Sequence, residues 1–126
     1  MGSLVIRRLQ EEFWEQLEVV ALGTNAIATT QMMKARANKG ASGENAVIWN
    51  VKDAHIIIGP LSIVLANGML GEVTPAMAAA VAGAPGKKFL LPLNQEGVVI
   101  AGLASLPLPP LVERVVIEVK EYLQNV

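Results

Sequence analysis

The chain has 126 residues, ten of them basic and eleven acidic, with one histidine and no cysteine. That length suits one domain, 1–126, whose core needs no staples, and the missing cysteines exclude disulfides, thiolate chemistry and cysteine-ligated metals. A net charge of −1 without a basic stripe speaks against nucleic acid as a partner.

Val5, Leu9 and Phe13 recur at helical spacing, with Arg7, Arg8, Glu11, Glu12 and Glu15 on the other face. The pattern predicts a helix over 4–16 behind a Ser3 cap. The charges after Arg7 and Arg8 do not form a secretory leader, and with the absent cysteines they point to a cytoplasmic protein. Residues 17–22 are expected as a strand ended by Gly23, Thr24 and Asn25, and 26–38 as a helix stopped at Lys39 and Gly40. Ser42, Gly43, Glu44 and Asn45 have turn chemistry, and 46–51 fits a short helix better than a strand. Residues 55–58 are a buried strand closed by Gly59 and Pro60. The uncharged stretch 55–71 is short for a membrane span and is broken by two turn pairs, so no membrane is expected. Thr74 and Pro75 open a helix over 75–81 as its cap and first residue. Two more strands follow at 88–91 and 97–101. A proline-rich extended connector over 106–110 then leads to a helix over 111–123, striped by Val112, Val116, Val119 and Leu123.

Short apolar strands such as the run Ile56, Ile57, Ile58, alternating with helices, predict an α/β fold. The expected form is a three-layer, mostly parallel sheet, doubly wound and Rossmann-like. In such sheets ligands sit at the carboxyl ends of strands. The segments there are Thr24 with Asn25, Gly59 with Pro60, and Asn94, joined from the neighbouring turn by Glu44 or Asn45. Thr24 or Asn25 also suits a plain helix cap, and Glu44 with Asn45 a solvated turn. Glu72 is the only charge between Ala54 and Gly86. It is either an acid of shifted pKa or, as expected here, a carboxylate exposed near a helix start. His55 opens a strand at the opposite end and is structural. No cluster at ligand spacing suggests a metal, and Ser62 lacks the glycine-flanked setting of a nucleophile.

Four motifs now stand in order: Ala21-Leu22-Gly23-Thr24-Asn25-Ala26-Ile27-Ala28-Thr29, Ala41-Ser42-Gly43-Glu44-Asn45-Ala46, Ile57-Ile58-Gly59-Pro60 and Gly71-Glu72-Val73-Thr74-Pro75. With them the chain resembles a family of short, uncharacterised bacterial proteins of unknown function. The resemblance spans nearly the whole chain and implies a Rossmann-like fold, and it leaves both reaction and cofactor unknown. Members of that family open with an apolar strand, an Asp-Gly-Gln and a run of glycines that would cradle phosphate at a helix start. Here Met1, Gly2 and Ser3 lead straight into the helix, so the fold is expected to be N-terminally truncated relative to that pattern, through a displaced start or a real truncation.

Two functions of different kinds fit. One is small-molecule binding at the strand ends, with an uncharged or modestly anionic ligand, since the glycine-rich loop is missing. The other is a non-catalytic oligomerising protein, because 52% hydrophobic and 17% charged residues leave a surface poor in charge. A missing central strand would leave a slot between 17–22 and 55–58. Direct pairing of those strands would push the first helix outward and partly uncover Val5, Leu9 and Phe13. Borrowing 97–101 from a neighbour would fill the slot instead. Both routes predict a homo-oligomer.

Overall fold

A computed structural model describes residues 1–93 and 97–125. The chain forms α1 (Gly2–Phe13), β1 (Val20–Gly23), α2 (Ala26–Lys34), β2 (Lys39–Ser42), α3 (Glu44–Val51) and β3 (Ile56–Pro60). A 3-10 turn (Leu61–Val64), α4 (Pro75–Gly83), β4 (Lys87–Leu91) and α5 (Leu108–Gln124) follow.

The isoleucine run sets the layering. Ile56 and Ile58 pack with Leu91, α1 and α5 on one face, while Ile57 packs with Val47, Val51, Met77 and Val81 of α3 and α4 on the other. Successive strand side chains point to opposite faces, so a strand covered on both must be apolar throughout. β1 repeats the logic: Ala21 meets Ile6 of α1 and Ala35, while Leu22 turns to the α3–α4 side. Helices α1, α2 and α5 therefore cover one face and α3 and α4 the other. Both strand pairings among the described residues, β1 with β2 and β3 with β4, are parallel, which is the expected α/β class. Arg8 of α1 also grips Glu113 of α5 through two parallel bonds, 2.5 and 2.9 Å. That fork raises the Arg8 pKa and holds the Glu113 carboxyl below its ordinary range.

The sheet is interrupted. β1 and β3 face each other without pairing, and a cavity of about 1470 Å³ runs between them. Direct pairing, one of the two expected ways to close this gap, does not occur. Its consequence is absent too, for Val5, Leu9 and Phe13 are 5%, 6% and 4% exposed.

Three other expectations are corrected. Residues 97–101 form no strand: Val98 makes an isolated bridge, and Gly97 and Gly102, at φ +78° and +79°, turn the chain on either side. A run of β-branched residues has high strand propensity but needs an edge to pair with, and Val99 stays 92% exposed. β2 occupies the fourth-strand place. Its Lys-Gly-Ala-Ser carries no apolar pattern because it is an outer strand with only Ala41 partly buried. Finally, the connector at 106–110 is already helical from Leu108. Pro109 and Pro110 fit the first turn of α5, where a backbone N–H has no intrahelical partner.

Leu91 is fully buried where β4 meets α5. Replacing it with Ala is expected to lower stability by about 2–5 kcal/mol, through lost burial and a residual cavity. Val99→Ala should change it by less than about 0.5 kcal/mol, being a surface substitution. Urea unfolding of the two variants against wild type checks both.

Candidate functional site

The carboxyl ends of the strands are built by helix caps. β1 ends at Gly23, where a side chain would collide with Thr29 of α2, so only glycine lets the strand run this close to the helix start. Asn25 then caps α2, its Oδ1 accepting from the Ala28 N–H at 2.8 Å. Thr74 caps α4 in the same way, accepting from the Met77 N–H at 3.1 Å, with Pro75 in the first turn. Gly43 precedes α3 at φ +95°, a left-handed conformation in which a larger residue would be strained. Thus α2, α3 and α4 all begin at one edge, with their positive dipole ends.

Two carboxylates complete the edge. Glu72 Oε1 accepts from Thr24 Oγ1 at 2.7 Å and from Asn25 Nδ2 at 2.8 Å. These two bonds, Thr24's first, hold the Glu72 carboxyl below its ordinary pKa. Glu44, in the first turn of α3, accepts from Thr74 Oγ1 at 2.6 Å. Thr74 therefore donates to Glu44 while capping its own helix. Both carboxylates are solvent-exposed.

The structure brings several of the expected residues together. Thr24, Gly59 and Pro60 line the mouth of the cavity between the half-sheets. Asn25 is tied to them through Glu72. Glu44 is held at the same edge but by Thr74, and both cap readings of the sequence are realised alongside it. Asn45 is exposed on α3, and its side chain makes no hydrogen bond among the described residues. Asn94 lies outside the described residues. Two residues outside the expected site take part: Glu72, weighed as an acid of shifted pKa or an exposed carboxylate and expected to be the latter, and Thr74, read only as a cap. The signal for the first was its isolation in 33 otherwise uncharged positions, 54–86, since a lone charge that survives there has a partner to hold.

The edge presents hydrogen-bonding groups held by one another. Among the described residues no group of three His, Asp or Glu could hold a metal ion. His55 lines the opposite end of the cavity, beside Asp53. Ser62 is 1% exposed, and the one histidine stands at the other end of the strand. No helix among the described residues is long and apolar enough to cross a membrane.

Comparison with known proteins adds a family and nothing finer. Neither curated proteins nor solved structures contain a match to the chain. A family model described as a domain of unknown function, DUF3842, matches residues 1–124, and the chain belongs to that family.

Proposed function

We propose that residues 1–126 act as one cytoplasmic, small-molecule-binding α/β domain, with the ligand at the carboxyl ends of β1 and β3. One observation carries the reading: Thr24, Gly59 and Pro60 share the mouth of a single cavity, while Thr24 and Asn25 converge on Glu72 beside it. That supplies two donors, a carboxylate acceptor and backbone at hydrogen-bonding reach of one another, the usual equipment of a pocket with an apolar body. Glu44, Asn45 and Asn94 are the further candidates from the neighbouring turns.

The ligand is uncharged or modestly anionic. Helix starts attract anions, but here Glu72 and Glu44 already lie against the starts of α2 and α4. A polyphosphate would meet two carboxylates. Thermal-shift screening with nucleosides, coenzymes and neutral metabolites should yield neutral or singly charged hits whose effect is lost in Thr24→Val. Micromolar binding of ATP or NAD by calorimetry contradicts this reading.

Acid should loosen the same edge. Because the folded Glu72 pKa is depressed, its contribution is present above the unfolded value and lost as pH falls through the folded one. Amide exchange at 67–73 is expected to accelerate below the ordinary carboxylate range in wild type. In Glu72→Gln it should show no such acid-dependent step. An identical acid response in both proteins refutes the latch.

A second reading, self-association, is favoured by the apolar surface of 97–107. Val99 is 92% exposed, Leu103 51% and Leu106 49%, a cluster that monomers seldom present to water. Light scattering should give a homo-oligomer at micromolar concentration, reduced by Val99→Asp. A wild-type mass near 13.4 kDa rules it out.

A further inference from the structure

We infer that the pocket between the ends of α1 and α2 is a binding site for a small, flat-ringed dianion of the aryl phosphate class. Arg7, Lys34 and Arg36 hold its charged group, and Trp14 takes its ring. The site is separate from the strand-end ligand, because α2 begins at the carboxyl edge and its last turn points away from it.

Helical spacing builds one wall. Arg7, Gln10, Glu11 and Trp14 stand at i, i+3, i+4 and i+7, so they share one side of α1 and its end. Lys34, in the last turn of α2, and Arg36, just past its cap, form the other wall. Between them lies a cavity of about 410 Å³, the size of a small-molecule site. The three cations are exposed, and none makes an ion pair among the described residues. Glu11, the one acid in the lining, is held by Arg8 at 3.3 Å. Three cations against one carboxylate suit a ligand with two negative charges.

The backbone of Arg36 is a second, independent reason. Its φ is +80°, left-handed, at the position past a helix cap where glycine is the ordinary residue. Gln10, itself buried, holds it there. Its Nε2 donates to the Arg36 carbonyl at 2.6 Å and to Asn38 Oδ1 at 3.2 Å. A buried amide thus fixes a strained arginine against the side of α1 that carries Arg7 and Trp14. A cation that merely answered the carbonyl end of α2 needs no such backbone, since Lys34 already stands in the last turn. Strain of this kind persists where the side chain itself is used.

Trp14 supplies the partner for a ring. It is 59% exposed and has no cation over its face among the described residues, whereas Lys52 covers Trp49 at 3.5 Å. Guanidinium groups fork onto phosphate oxygens, and an indole takes a flat ring by stacking. Both kinds of group line one pocket, so charge and ring belong to one ligand.

Calorimetry on the full chain tests this with phenyl phosphate, a dianion above about pH 6. Its Kd is expected below about 1 mM, with inorganic phosphate and phenol each at least about tenfold weaker. Arg36→Gly should raise the melting temperature, because glycine relieves the left-handed backbone, yet weaken phenyl phosphate by about tenfold or more. Arg7→Gln, on an exposed helix face, should weaken it similarly while leaving the Arg36 backbone as it is. Thr24→Val should change nothing here, which keeps this site distinguishable from the strand ends. Absence of binding at millimolar phenyl phosphate overturns the proposal, as does undiminished binding in Arg36→Gly and Arg7→Gln. Either fragment binding as tightly as phenyl phosphate overturns it too. Loss of binding in Thr24→Val alone overturns it in favour of the strand ends.

Discussion

Helix α1 is the contact on which the rest of the structure depends, because it joins two half-sheets that share no hydrogen bond. One side of the helix puts Val5, Leu9 and Phe13 against Leu91 and α5, which belong with β3 and β4. The next side puts Ile6 against Ala21, Ala35 and Ala37, which belong with β1 and β2. A helix can do this because residues one position apart lie about a quarter-turn from each other. Remove that stripe and only the α3–α4 contact on the other face would still hold the halves by apolar packing. The Arg8–Glu113 fork then fixes where α1 lies along α5. Being exposed, it contributes register more than stability.

The polar edge repeats the same bridging in a weaker form. Thr24 and Asn25 stand at the end of β1, whereas Glu72 comes from the loop after β3. Glu44 follows β2, whereas Thr74 precedes α4. Both carboxylates therefore reach from one half to the other, and both do so in water, where such bonds exchange readily with solvent. The apolar contacts fix the distance between the halves, and the carboxylates tune the mouth.

Much of this was legible in the sequence because it rests on short-range rules. The helical stripe of α1, the Thr74–Pro75 start and the isoleucine run each announce themselves through periodicity or cap chemistry within a few residues. β2 did not, since Lys39 and Gly40 have no apolar face to report and owe their strand to the edge of β1. Residues 97–101 failed in the opposite sense: their β-branched side chains have the propensity, but propensity without a paired edge leaves a run in solvent. The candidate site was legible residue by residue at Thr24, Asn25, Gly59 and Pro60, which end strands. Its linkage was not. That Glu72 should meet Thr24 across 48 positions, or Thr74 meet Glu44 across 30, depends on where two loops arrive, and no local pattern encodes that.

The slot and the edge also constrain each other electrostatically. In most parallel α/β sheets the helix starts at the carboxyl edge leave a net positive field, which anionic ligands exploit. Here Asn25 and Thr74 use their side-chain oxygens as caps, and each donates one further hydrogen bond, to Glu72 and Glu44 respectively. The field at α2 and α4 is thus answered from within the protein. The start of α1, which has neither a side-chain cap nor an acid in its first turn, lines the cavity. A group that enters from the carboxyl edge therefore meets an acceptor and donors already held in place by one another, with the second Asn25 amide hydrogen and Glu72 Oε2 still to offer.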